Sequence, residues 1–107
     1  MPDIDLDEFA ASQADDSVVV LDIREPVEYV QGHVPGAVLL PMSQIGARLG
    51  ELDADKRLLV ICATGNRSRA ITDALCQAGY DAWNVLGGTQ AWIRSGRPVE
   101  TGLPVSH

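Results

Sequence analysis

Short apolar runs alternate with amphipathic stretches from one end of the chain to the other. Val18-Val-Val-Leu-Asp-Ile23 is β-branched and nearly continuous, the pattern of a strand covered on both faces, and Ala37–Leu40, Leu58–Ile61 and, less strongly, Ala82–Val85 repeat it. Between these runs the apolar spacing changes from strand-like to helical. Leu6, Phe9 and Ala10 share a face, with Asp5 placed as N-cap and Glu8 three residues later, a pair resembling a capping box. Ser43 is positioned to cap a second helix carrying Ile45, Leu49 and Leu52. Ala70, Ile71, Ala74, Leu75 and Ala78 predict the apolar face of a third, closed by Gly79, and Gln90–Ile93 a fourth that stops before Gly96 and Pro98. Strands alternating with helices need crossover connections, so the predicted class is α/β, a mostly parallel sheet with helices on both faces. Asp53–Arg57 reads as a polar turn, and Thr101–His107, without periodicity, as a frayed tail.

Length and charge narrow the function. A chain of 107 residues suits one domain, residues 1–107 with a core over about 4–98, and excludes a two-domain enzyme. Its 15 acidic residues against 8 Lys and Arg give a net charge of -7, the wrong sign for neutralising phosphates, so nucleic acid and anionic membrane are not expected partners. The apolar runs fall far short of the roughly 20 residues of a membrane span, and the acidic opening is unlike a signal peptide. A reducing, cytoplasmic location follows, in which Cys62 and Cys76 stay as thiols. Neither cysteine has metal-ligand spacing with the other or with His33 and His107, so no metal is expected.

Open parallel sheets bind ligands beyond the carboxyl ends of their strands. The segment after Leu58–Ile61 is Cys62-Ala63-Thr64-Gly65-Asn66-Arg67-Ser68, a strand tip, a tight loop and the start of a helix. Free N–H groups at that helix start, with Arg67, make a cradle for an anion, and a cysteine in such a place has a lowered pKa and a nucleophilic thiolate. Against this stands the plainer reading of Cys62 as the last buried residue of a core strand. Cysteine-dependent phosphatases share the plan but place five residues between Cys and Arg, often with His before the Cys. Here four intervene and Ile61 precedes, giving a smaller circle of amides suited to one added sulfur atom.

At these residues the chain resembles the rhodanese family of sulfurtransferases. Leu21-Asp-Ile-Arg24-Glu-Pro-Val-Glu28-Tyr29 looks like the family's early Asp-x-Arg segment, and Gly32-His-Val-Pro-Gly-Ala37 like its Gly-His-Ile-Pro-Gly-Ala turn. Cys62–Ser68 resembles the six-residue active loop and helix-starting Ser, and Leu86-Gly-Gly88 with Ala91-Trp92 and Ser95-Gly96-x-Pro98 the closing signature. The resemblance implies a five-stranded parallel sheet, with a short fifth strand at Ile4. It also implies ping-pong transfer of a sulfane sulfur from a donor such as thiosulfate or a persulfide to cyanide or a thiol, through a Cys62 persulfide and with no other cofactor. A rhodanese-like relay module passing sulfur between proteins is the alternative. The amides of Ala63 to Ser68 would stabilise the persulfide. Arg67 would either neutralise the donor or brace the loop against a carboxylate such as Asp22. Position 63, often basic in relatives that use thiosulfate, is Ala63, which favours a protein or low-molecular-weight persulfide as donor.

Other residues invite blander readings. Asp22 and Arg24 are expected to pair and fix the loops around the site. His33 is expected to hydrogen-bond local backbone. Cys76 lies about 13 Å along the helix from Arg67, too far for a bridge that needs Cα atoms within about 7 Å. Tyr80, Trp83 and Trp92 follow the packing pattern, and Asp3, Asp5, Asp7, Glu8, Asp15 and Asp16 form a solvated face.

Overall fold

The computed structural model describes residues 2–103, so His107 and the rest of residues 104–107 lie outside the described residues. Five strands, β1 (Asp3–Ile4), β2 (Val18–Asp22), β3 (Val38–Leu39), β4 (Arg57–Ile61) and β5 (Asp81–Val85), form one sheet in the order β1-β5-β4-β2-β3. Every pairing is parallel. The Ile4 strand implied by the resemblance is present, pairing Ile4 with Val85. Helices α1 (Leu6–Ser12), α2 (Pro26–Tyr29), α3 (Ile45–Arg48) and α4 (Asn66–Gln77) lie between successive strands, and α5 (Gly88–Arg94) follows the last.

The alternation within the central strands sorts the core onto two faces. Val20, Leu59 and Ile61 pack with Phe9, Tyr29 and Trp92 from α1, α2 and α5. Leu21, Leu58, Val60 and Cys62 pack with Ile45 and Leu75 from α3 and α4. The crossover after β2 runs outward to β3 and the one after β4 runs to β5 on the other side. The crevice between the carboxyl ends of β2 and β4 is therefore the switch point where such sheets bind ligands. Asp22 is in register with Ile61, so the segments that begin at Ile23 and Cys62 leave the sheet side by side.

Several local expectations change. Asp5 does cap α1, accepting from the Glu8 N–H at 2.8 Å. Ser43 caps nothing: it is exposed within a 3-10 turn (Met42–Gln44), and Gln44 is the N-cap of a one-turn α3. The turn starts one residue earlier because Pro41 sets its entry and the Gln44 N–H bonds the Pro41 carbonyl at 2.8 Å. Along α4 the buried stripe is Ser68, Thr72 and Leu75, while Ala70, Ala74 and Ala78 face solvent. Alanines bury too little area to set a helix's rotation, and the polar ties of Ser68 set it instead. Gly79 closes the helix as expected, in a Schellman pattern of Gly79 N–H to Cys76 and Tyr80 N–H to Leu75. Helix α5 begins at Gly88 rather than Gln90, and α2, which is too short to show periodicity, is an addition. Within the stretch expected to fray, the Gly102 N–H donates to the Val30 carbonyl at 2.9 Å. Among the described residues no helix is long and apolar enough to cross a membrane.

Candidate active site

Cys62 follows β4 directly, and the chain then turns through Ala63, Thr64 and Gly65 into α4. Gly65 takes the left-handed conformation, with φ of 95°, which turns its N–H back toward the strand it has just left. That N–H donates to Cys62 Sγ at 3.1 Å, and the Ser68 N–H, one turn into the helix, donates at 3.4 Å. Ser68 Oγ lies 3.3 Å from the sulfur. Burial alone pushes the thiol's pKa up. The Ser68 hydroxyl and the amides of Ser68, Thr64 and Gly65 outweigh it and hold the thiol below its ordinary value. The loop thus gathers donors on one sulfur at a helix N-terminus, an arrangement that stabilises negative charge there. Cys62 is fully buried, whereas Ala63 after it is half-buried and Thr64 is exposed.

Helix α5 braces this loop from behind. The Thr89 N–H donates to the Cys62 carbonyl at 2.9 Å and the Gln90 N–H to the Ala63 carbonyl at 3.0 Å. Gly88 makes the approach possible: its φ is 61°, and a Cβ there would meet the Ala63 carbonyl oxygen at 2.6 Å.

Both arginines near the site are paired. Arg24 donates from Nε and Nη2 to Asp22 at 2.9 and 2.8 Å and from Nη2 to the Gly32 carbonyl at 2.9 Å, a buried link that ties the end of β2 to the Gly32-His33 turn. Arg67 braces the loop, but its carboxylate is Glu28 rather than Asp22. It donates to Oε1 at 3.0 Å and Oε2 at 2.9 Å, because Asp22 is already occupied by Arg24. Glu28 is held in place by the start of α2, where its Oε1 also accepts the Glu25 N–H at 3.2 Å. Its carboxyl lies below the usual range, chiefly through the Arg67 hydrogen bond. Arg67 is raised by the same bond, with Cys62 adding a smaller coulombic contribution.

A cavity of about 300 Å³ opens beside the loop, lined by Arg24, Glu28, Gly32, Ala63, Thr89 and Ile93. The Thr89 hydroxyl is buried there without a hydrogen-bond partner. A larger cavity of about 1000 Å³ runs along β3 toward Val99–Leu103, but neither Cys62 nor its loop lines it, so size does not locate the chemistry here. His33 lies at that second cavity. Its ring stacks on Tyr29 and Nδ1 donates to the Tyr29 carbonyl at 2.8 Å, the backbone bond expected of it. Cys76 is half-buried and donates to the Ala82 carbonyl at 3.3 Å. Among the described residues no group of three or more His, Cys, Asp and Glu side chains is placed to hold a metal ion.

Residues 5–95 match the rhodanese-like domain as a protein family. The chain belongs to that family. A sulfurtransferase of Allochromatium vinosum is 37% identical to this rhodanese-like chain over 99 residues, which cover 91% of it and 92% of the relative. Among solved structures, a rhodanese-related protein of Thermoplasma volcanium superposes with a TM-score of 0.89 at 34% identity, covering 95% of this chain and all of that one. A rhodanese-like domain protein of Staphylococcus aureus gives 0.85 at 31%, covering 96% of this chain and 100% of that one.

Three residues of the rhodanese-like site were not singled out by sequence: Glu28, Asn84 and Thr89. Glu28 was readable as the partner of Glu25 across a Pro-initiated turn. Asn84 was readable as the one polar residue in the inner part of an apolar run. Thr89 had no signal, because only the docking of α5 buries it.

Proposed function

We propose that this protein transfers sulfane sulfur through a persulfide on Cys62. The thiolate attacks the outer sulfur of a donor, the new Sγ–S bond forms, and the donor's bond to that sulfur breaks, its remainder leaving with the electron pair. An acceptor thiolate, or cyanide, then takes the outer sulfur and returns Cys62 to a thiolate. The observation that carries this reading is the pair of backbone donors on Sγ, from the Gly65 N–H at 3.1 Å and the Ser68 N–H at 3.4 Å, with four residues and not the five of the phosphatase pattern between Cys62 and Arg67. Ala63 to Ser68 serve as the persulfide cradle, and Asp22 and Arg24 support it from the neighbouring strand.

Persulfides are favoured over thiosulfate as the donor. Arg24 and Arg67 are each engaged by a carboxylate and position 63 carries no charge, so a dianionic donor has no unpaired arginine at these positions to meet it. Incubating the protein with an alkyl persulfide, and separately with thiosulfate, should add the mass of one sulfur atom that dithiothreitol or cyanide removes. Uptake should be faster from the persulfide. A Cys62→Ser variant that still gains this mass would overturn the reading, and Cys62-dependent hydrolysis of an aryl phosphate would replace it with a phosphatase.

A further inference from the structure

Asn84 is fully buried in β5, in register with Val60 on one side and Asp3 on the other. A strand position of this kind ordinarily takes a β-branched residue, and burying an amide there is costly unless its groups are bonded. Both are. Asn84 Oδ1 accepts from the Ser68 hydroxyl at 2.5 Å, and Nδ2 donates to Asp3 Oδ1 at 3.4 Å. Ser68 is itself fully buried, with Oγ 3.3 Å from Cys62 Sγ. One hydroxyl proton therefore faces two acceptors.

While Cys62 is protonated the chain is satisfied throughout: S–H donates to Ser68 Oγ, and Ser68 O–H donates to Asn84 Oδ1. Loss of the thiol proton changes the balance. The anionic sulfur now needs the Ser68 proton, but turning it there leaves Ser68 Oγ and Asn84 Oδ1 as two acceptors facing each other with no proton between them. Reversing the amide would cure that clash, yet it would aim Oδ1 at the Asp3 carboxylate. We propose that Asn84, oriented by Asp3, is a positioning residue that competes with the Cys62 thiolate for the Ser68 proton and keeps that thiolate more basic than the loop alone would make it. A more basic thiolate is the better nucleophile for taking sulfur and the poorer leaving group when sulfur is handed on. Asn84 thus sets the balance between the two half-reactions. This last consequence rests on the sulfur-transfer reading, whereas the proton positioning does not.

The test is the pH profile of Cys62 alkylation, followed by mass so that Cys76 is scored separately. Asn84→Leu and Asn84→Ala should both lower the midpoint, by about one unit. They should do so equally, although only the alanine leaves a cavity and the two will differ in stability. Asp3→Ala, on an exposed side chain that does not threaten folding, should lower it less. The charged groups facing this site are Asp22 and Arg24 after β2, Glu28 on α2, Arg67 on α4 and Asp3 on β1, and only Asp3 is altered. In a Ser68→Ala background neither Asn84 substitution should move the midpoint further. With a persulfide donor, uptake above the midpoint should slow by about threefold and release to an acceptor thiol should quicken by about as much. Midpoints that stay or rise, or a shift that persists without the Ser68 hydroxyl, would overturn the proposal. A lowered midpoint in a protein that never acquires sulfur would sink only the transfer reading.

Discussion

The Arg67–Glu28 pair is bidentate, with both side chains about one-third exposed (37% and 34%). Such a pair is well screened and contributes at most about 1 kcal/mol to stability, so its main effect is on the charge presented at the mouth of the cavity. Substituting Glu28→Gln removes one negative charge and leaves Arg67 to meet an anion. Thiosulfate turnover (kcat/KM) should rise by at least about threefold, on the order of 0.7 kcal/mol, and the gain should shrink as salt is added. Turnover with a neutral alkyl persulfide should change little, and the melting temperature should stay within a few degrees. If both donors lose activity together, the pair serves to hold the loop and not to select the donor. At this scale the site was legible where chemistry is local. Cys62 with Gly65, Arg67 and Ser68 forms a strand–loop–helix string whose amide geometry follows from spacing alone. Glu28 was not legible, because its partner lies in a different element and the choice between Asp22 and Glu28 depends on Arg24 having taken the first.

The elements were readable in proportion to the apolar area each buries. Strands β2, β4 and β5 and helices α1 and α4 carry long side chains into the two core faces, and their existence follows from pattern. The apolar spacing places Ile71 and Leu75 of α4 against the core, but its alanines extend a false stripe, while the polar Ser68 and Thr72 are buried on the face that matters. The start of α5 was hidden for a related reason. Gly87 and Gly88 carry no apolar periodicity, yet both have positive φ and Gly88 leads the helix onto the Cys62 and Ala63 carbonyls. Gly88→Ala tests that docking. An alanine would be strained at its φ of 61° and would press its Cβ into the Ala63 carbonyl, costing about 1 to 3 kcal/mol for the backbone conformation alone. Because the added Cβ pushes on the two residues that begin the loop, sulfur loading of Cys62 should fall by more than the loss of folded protein explains. Gly46→Ala, at a position with nothing within 4 Å, is the control and should leave loading unchanged. Equal loading per folded molecule in Gly88→Ala would show that α5 does not brace the loop.

Across the whole molecule, the excess of 15 acidic over 8 basic residues does not reach the reactive sulfur, because the charges nearest to it are paired. Among the described residues Arg24, Arg48, Arg57, Arg67 and Arg97 each face a carboxylate within 4 Å. What the sulfur meets instead is a buried set of hydrogen-bond donors, and that has a consequence for the stability of the entire fold. Burial raises the thiol's pKa and the Ser68, Thr64 and Gly65 donors lower it, with the donors prevailing, so the folded state releases the Cys62 proton at a lower pH than the unfolded chain does. Between those two pH values the unfolded state binds more protons, and stability must rise with pH. The contribution is complete above the unfolded thiol's value of about 8.5 and is lost as pH falls through the folded value. The difference in unfolding free energy between wild type and Cys62→Ser should therefore grow from pH 6 to pH 9, by about 1.4 kcal/mol for each unit separating the two states. Taking that difference cancels whatever the substitution leaves unchanged and isolates the contribution of Cys62. Urea denaturation across that range measures it. A difference that stays flat would mean the loop does not stabilise the thiolate, and a difference that shrinks would mean burial outweighs the donors.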